Sequence, residues 1–456
     1  VPLLALFLAA NAIVFLNAIL HHPTVGYDAP AHLKYIWALS SFALPVKADT
    51  YQFYSPPLAY LAPAVILSTG LVSLHSAAKF AQFVNAGFAV GLTFYLLKLC
   101  NLLRPGDRTF RLAALGLLAA LPVHYKSFAF IRPEPLLAFL CVAAVYHAID
   151  TFATAHVPSP RNVLLGLLLG LALLTRQQSF VILLAVVAFG LVCAARRRAL
   201  SRAYLVTLAV TLLVAIGIGG WFYVHLSRVN ATRGVLAYAR LPFSLRNQPR
   251  EFYTGLGLDR VFQDPIRPSF RRQFLPKFYS EVWGDHESYF LVYGSEMSTG
   301  RVVSGIRLEN ALATGEGLER LATNRDRISG YLGRVNLLAL LPSAVLGGGV
   351  LLGCCYLARA LLDPESCGTA ELGGGFLALL VVASFGAYLW WLIKIPTDTG
   401  DTIKATYLLY VFPLVAVLGA DFLRKLRQEV PSAFWGVAGA LTFVAFHNGA
   451  AFVTRY

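Results

Sequence analysis

The chain has 456 residues, of which 57% are hydrophobic and only 13% charged, and its mean hydropathy is +0.64. A soluble domain carries about twice that charged fraction, so the composition excludes an ordinary soluble enzyme and places the chain in a bilayer. The net charge of +15 would suggest nucleic acid in a soluble protein; here the basic residues cluster in short loops between apolar runs, where they read as topology signals and lipid-headgroup contacts, and no nucleic-acid partner is expected.

The chain starts at Val1 without a methionine, so its natural N-terminus is expected to be missing; residues 1–20 read as a retained first span and not as a cleavable signal peptide. The run Gly26-Tyr27-Asp28-Ala29-Pro30-Ala31-His32 follows. Asp is a favoured N-cap and Pro suits a first helical turn, so a helix is predicted over 29–43 with Asp28 at its start. A cap explains Asp28 as well as a general base does, and the two roles are compatible, because a helix start fixes the carboxylate. His32 lies one turn on, on the same face, where it could orient Asp28, bind phosphate or help hold a metal; a lone interfacial His is more often structural. After Tyr54-Ser55-Pro56-Pro57-Leu58, the apolar segment 57–74 with Pro63 reads as lying along the interface.

About 11 spans of about 15–25 residues are expected, near 1–20, 79–98, 109–124, 134–152, 161–175, 179–195, 203–224, 336–361, 373–393, 404–422 and 433–450. With 57–74 lying flat, the loops holding Lys98, Arg104, Arg108 and Arg111, then Arg196, Arg197, Arg198 and Arg202, then Arg424, Lys425 and Arg427 share one side, which the positive-inside rule makes cytoplasmic. The other side receives 21–78, His124–Glu134, Thr175–Gln178, 225–335 and Lys394–Lys404. The fold class is thus an all-α polytopic membrane protein with two interfacial helices in the first outer loop and a small extracytoplasmic insertion. Its expected parts are a transmembrane module (1–224), a cap (225–335) and a C-terminal bundle (336–456). The six cysteines fall in spans or cytoplasmic loops, so no disulfide framework is indicated. The glycine runs 347–349 and 373–375 read as packing or flexibility elements.

Several outer-face groups could carry chemistry. Lys126, Arg132 and Glu134 sit where a span meets the outer surface; charges there usually face a cavity or a partner. They read either as a local Arg–Glu pair with Lys126 snorkelling, or as a cationic site for a lipid phosphate. Arg176 with Gln177 and Gln178 interrupts an apolar hairpin, and Lys394 and Lys404 bracket Pro396–Asp401. Cations converging on one surface suit a phosphate leaving group. Glu281-Val282-Trp283-Gly284-Asp285-His286-Glu287 has the polar-aromatic character of a sugar contact. A metal reading of Asp285, His286 and Glu287 is disfavoured, because neighbours on one strand or helix do not all point inward. Asn230-Ala231-Thr232 matches a glycosylation acceptor triplet.

Four pieces resemble the C-type glycosyltransferases, and in particular the protein O-mannosyltransferases and the bacterial transferases that add aminoarabinose to lipid A. They are Tyr27–His32, Ser55-Pro56-Pro57-Leu58-Ala59-Tyr60, Leu173–Gln178, and Ile403-Lys404-Ala405-Thr406-Tyr407-Leu408-Leu409-Tyr410-Val411-Phe412-Pro413. The resemblance covers the first seven spans best and does not reach the long loop. It implies transfer of a sugar from a polyprenyl-phosphate carrier, with the first-loop carboxylate falling on Asp28. Many members carry an Asp-Glu pair there; this chain has Asp28-Ala29, which leaves open whether a second carboxylate comes from elsewhere, such as Asp49 or Glu134.

The expected reaction is an inverting single displacement with Asp28 as general base, and with His32, Tyr54, Lys126, Arg132, Glu134, Arg176, Gln177, Asp285 and Lys404 binding substrate. The polyprenyl-phosphate sugar is the donor; the acceptor is a lipid, glycan or protein. No cofactor is fixed by the residues, a divalent metal stays open with no ligands assigned, and partner subunits stay open. The Arg-rich, Met-poor composition points to a bacterial inner membrane, with the active face extracytoplasmic. A non-catalytic scaffold descended from such an enzyme, or a lipid or glycan transporter, are the rival readings; a transporter predicts broken spans and paired charges at mid-membrane.

Overall fold

Backbone groups left unpaired in hydrocarbon cost several kcal/mol each, so apolar runs close their hydrogen bonds within helices. The computed structural model describes residues 1–154, 161–196, 200–229, 241–291, 294–296, 301–303, 318–363 and 365–454. Its helices are Pro2–Leu20 (α1), Ala29–Leu39 (α2), Leu58–Ser68 (α3), Leu74–Leu103 (α4), Arg108–Ala119 (α5), Pro122–Ala129 (α6), Glu134–Phe152 (α7), Arg161–Leu173 (α8), Ser179–Arg196 (α9) and Ser201–Val229 (α10). Arg250–Thr254 (α11), Leu258–Gln263 (α12) and Phe274–Trp283 (α13) follow. Beyond a short antiparallel ribbon of Gly294–Glu296 (β1) and Arg301–Val303 (β2) come Leu318–Leu338 (α14), Leu340–Leu362 (α15), Thr369–Lys394 (α16), Phe412–Glu429 (α17) and Pro431–Asn448 (α18). Arg197 and Arg198 of the basic loop and the triplet Asn230-Ala231-Thr232 lie outside the described residues.

Among the described residues, seven helices are long and apolar enough to cross a membrane: α1, α4, α7, α9, α10, the run Arg325–Leu362, and α16. A bent pair, α5 and α6, meeting at 61°, makes an eighth if taken as one span. The remaining expected spans also contain helices, α8, α17 and α18, which fall short in length or apolar content. Helix α2 ends at Leu39, short of the expected 43, where Phe42 takes a left-handed turn at φ 58°. Helix α3 has 11 residues, roughly 16 Å of rise, about half a hydrocarbon core. The Arg325–Leu362 helix passes straight through position 335, the expected edge of the cap.

Helix α7 is the central element, with 83% of its apolar window buried, so whatever sits at its first residue, Glu134, is held rigidly. Small residues let backbones approach closely in a membrane. A Cβ on Gly219 of α10 would lie 2.4 Å from the Leu173 Cβ and 2.8 Å from the Gly170 carbonyl of α8. The two glycine runs pack as expected: a Cβ on Gly349 would fall 2.4 Å from the Gly419 backbone nitrogen, and one on Gly373 would fall 2.3 Å from Leu103. Helix α4 links two polar clusters. Asn85 donates to the Phe130 carbonyl near one end. About 28 Å further along the helix, Arg104 forks onto Asp421 at 3.1 and 3.2 Å. Asp421 is also held by Arg424 and the Tyr356 hydroxyl, which ties the arginine-bearing loops together at that end. At the first end, α13 of the long insertion packs on α6 and on the 3-10 turn Ala405–Leu408.

Candidate active site

Asp28 occupies the N-cap of α2, but in the left-handed region at φ 56° and ψ 17°, and its side chain makes no bond to the helix. Asp tolerates this conformation better than most residues. The carboxylate is thereby free for other partners. Oδ2 accepts from Lys404 Nζ at 3.0 Å, and Oδ1 accepts from the Tyr51 hydroxyl at 3.1 Å. The Asp28 side chain keeps 23% exposure. Burial alone would push its carboxyl up; Lys404, then Arg132, overcome this and hold it well below the usual carboxylate range.

Glu134, at the start of α7, organises two guanidinium groups. Arg132 forks onto it with Nε and Nη2 at 3.0 Å each, and Arg176 Nη2 donates at 2.8 Å. Arg176 Nη1 donates to Ser55 Oγ at 2.9 Å, joining the turn after α8 to the segment before α3. Arg132 Nη1 and Arg176 Nε are buried without a hydrogen-bond partner among the described residues. The Tyr407 ring gathers three cations: Arg132, Arg176 and Lys404 lie 5.2, 5.7 and 5.8 Å from its centroid. The Tyr27 ring faces Lys404 at 5.0 Å and Arg132 at 5.4 Å. These cations outnumber the two carboxylates Asp28 and Glu134 by one, so the layer favours an anion. Beside it opens a cavity of about 180 Å³, with Tyr54, Arg176, Gln177, Lys394 and Tyr407 on its polar side and Trp390 and Trp391 on its apolar side.

His32 Nδ1 meets the Tyr60 hydroxyl at 2.7 Å, while Nε2 is buried without a partner among the described residues. Burial and the nearby Arg132 hold the imidazole down to about 3, so it is neutral at physiological pH.

A second polar layer lies deeper. Lys126 does not snorkel: it is 1% exposed, 3.1 Å from Glu281 and 3.6 Å from Asp285. The Tyr27 hydroxyl donates to Glu281 and so connects the two layers. Glu287 takes Lys277 at 2.9 Å and Arg267 at 2.8 Å. Asp285, His286 and Glu287 are all buried, against the expectation that neighbours cannot all face inward. The reason is local: α13 ends at Gly284, and an irregular turn with Ser288 at φ 53° replaces the regular alternation of a strand or helix. The three side chains diverge. Asp285 accepts from the Phe290 and Leu291 amides at 2.8 and 2.7 Å, and His286 Nδ1 meets the Pro265 carbonyl at 2.8 Å.

No family model matches the chain, and no curated protein is recognisably similar to it. Among solved structures it superposes on the archaeal oligosaccharyltransferase AglB from Archaeoglobus fulgidus in complex with an inhibitory peptide and a dolichol-phosphate, with TM-score 0.50 and 14% identity over 99% of this chain and 56% of that one. It superposes equally on the Archaeoglobus fulgidus oligosaccharyltransferase in complex with zinc and sulfate, with TM-score 0.50 and 15% identity over 98% of this chain and 53% of that one. The chain has the C-type glycosyltransferase fold. It spans little more than half the length of those oligosaccharyltransferases. ArnT from Cupriavidus metallidurans bound to undecaprenyl phosphate gives TM-score 0.38 at 15% identity over 99% of this chain and 89% of that one, a score too low to bear on the argument.

Within this C-type fold, the sequence candidates divide by depth. Asp28, Arg132, Glu134, Arg176 and Lys404 converge around Tyr407. Tyr54 and Gln177 line the cavity, and His32 lies behind Asp28. Lys126 and Asp285 belong to the deeper layer and are sealed by their own partners. Tyr27, Tyr51 and Tyr407 were not among the candidates. Tyr27 and Tyr407 stand inside two of the family-like runs, so the signal was present; only their position between cations was not readable.

Proposed function

We propose that this protein is a membrane glycosyltransferase that takes a sugar from a polyprenyl-phosphate carrier and transfers it, with inversion, to a lipid, glycan or protein acceptor. The observation that carries the reading is the Asp28 carboxylate: it sits at a helix start without capping it, beside a cationic layer with buried guanidinium N–H groups that lack acceptors among the described residues. In this mechanism an acceptor hydroxyl or amine gives its proton to Asp28 as it attacks the anomeric carbon. The phosphate leaves against Arg132, Arg176 and Lys404. A phosphate is a good leaving group and needs no acid, so one carboxylate suffices. Glu134 is the partner that fixes both arginines. Among the described residues no three His, Cys, Asp or Glu side chains converge on a metal-sized site, and each of these steps uses the chain's own groups.

The 61° break between α5 and α6 is a feature that a transporter would share. The paired charges, however, stand at helix ends: Glu134 begins α7, Arg132 precedes it and Arg176 follows α8. That placement supports chemistry at a membrane face. We assign that face to the extracytoplasmic side on the charge bias of the loops, and the membrane to a bacterial inner membrane on the Arg-rich, Met-poor composition.

The test is transfer from radiolabelled polyprenyl-phosphate sugars by the purified protein in lipid. Asp28→Asn is expected to lower transfer by about 10²–10⁴-fold, the usual worth of a general base, while the protein still folds and binds a polyprenyl phosphate at least as tightly as the parent. Undiminished transfer by that variant would remove Asp28 as base. A wild-type protein that binds no polyprenyl phosphate would favour the scaffold reading.

A further inference from the structure

Resting on that reading, we propose that Lys404 changes partner during the reaction, leaving Asp28 for the phosphate as Asp28 receives the acceptor's proton. The charges require such a move. A sugar phosphodiester carries one negative charge, and the departing polyprenyl phosphate carries up to two. The acceptor oxygen forms its bond to the anomeric carbon, and the bond from that carbon to the phosphate oxygen breaks with its electron pair on the phosphate. The acceptor proton goes to Asp28. Asp28 thus loses one negative charge while the phosphate gains one, and a cation held between them stabilises the transition state more than the bound donor.

Lys404 is the cation built for this exchange. Arg132 is forked onto Glu134, and Arg176 is divided between Glu134 and Ser55. Neither can turn without abandoning a buried carboxylate. The only hydrogen bond of Lys404 Nζ among the described residues is to Asp28, and an ammonium on a four-carbon stem has two further donors and free rotation. Its backbone nitrogen is pinned by the Tyr388 hydroxyl at 2.7 Å, so the stem pivots about a fixed root. The Tyr27 and Tyr407 rings, 5.0 and 5.8 Å away, provide cation-binding faces along the swing. Asp28 has Lys404 and Tyr51 in direct contact, Arg132 and His32 next, and the Tyr54 and Tyr289 hydroxyls beyond.

Two probes separate the charge states: farnesyl phosphate, a dianion at pH 8, and its methyl ester, a monoanion. Binding of each to the detergent-solubilised full chain is measured by calorimetry. Asp28→Asn imitates the protonated base and keeps a residue that accepts the left-handed conformation. It is expected to bind farnesyl phosphate about tenfold tighter, within the usual range of coupling between linked sites, with little change for the methyl ester. Lys404→Met is expected to erase the preference for the dianion, and adding Asp28→Asn to it is expected to change nothing more. Lys404→Gln serves if the methionine variant does not fold. An unchanged dianion preference in Asp28→Asn overturns the exchange. So does a tightening that persists without Lys404, which would reflect plain removal of a negative charge. If the wild-type protein binds neither probe, the phosphate reading itself fails; if both probes bind and depend on Arg132 and Arg176 alone, that reading stands and only the exchange falls.

Discussion

Asp28 and His32 are one helical turn apart, and both have lowered proton affinity for different reasons. The Asp28 carboxyl is held down by neighbouring cations, so its contribution to stability is complete above the ordinary carboxylate value of about 4 and is lost only as pH falls below it. His32 and His286 are held down by burial, to about 3 and about 4. The unfolded chain binds their protons near pH 6.5 while the folded one does not, so stability is full at pH 7 and declines as pH falls through 6 and 5. The protein is expected to melt at lower temperature at pH 5 than at pH 7, and His32→Gln is expected to remove about 2 kcal/mol of that difference; equal losses in variant and parent would show that His32 is charged in the fold. At this scale the sequence revealed residue types and helix position, because Asp before Ala-Pro marks a helix start. It could not reveal that the carboxylate would turn away from the helix, since a single φ angle decides that.

The helices were legible because hydrocarbon leaves an apolar run no alternative structure. Their ends were less so: α2 stops at Leu39 where Phe42 turns left-handed, and α14 to α15 run on through the expected cap boundary. The contact between α8 and α10 shows how an element aims a side chain. Helix α8 ends at Leu173, three residues before Arg176, and Gly219 lets α10 lie against that end. Gly219→Val would push a side chain into Leu173 and the Gly170 carbonyl. It is expected to cost about 1–3 kcal/mol by overpacking and to weaken farnesyl phosphate binding by displacing Arg176. Calorimetry and a thermal melt check both; normal stability and affinity would mean that the helices separate without moving the arginine.

For the whole molecule, the site is an assembly of distant segments, which is why the sequence showed its members and not their pairing. Periodicity reports neighbours within a turn or two; it cannot report that Lys126 would bury itself on Glu281, 155 positions away. Lys126 looked like a surface cation because it follows an apolar run, and it proved to be a core ion whose partners come from the insertion. Removing the shared cation leaves Glu281 and Asp285 buried without it, so Lys126→Met is expected to destabilise the protein by about 3–5 kcal/mol, seen as a lower melting temperature; a loss below 1 kcal/mol would show that water reaches the two carboxylates. Among the ion pairs of the described residues, that between Asp28 and Lys404 has the longest reach, 376 positions. A ribosome adds about 5–20 residues per second, so the Asp28 carboxylate emerges roughly 20–75 s before its ammonium is made. Until then the Asp28 carboxylate, at the start of α2, lacks its lysine partner. Synthesis that stops short of residue 404 yields a chain without the Asp28–Lys404 pair, so the proposed chemistry waits on a residue made 376 positions after its base.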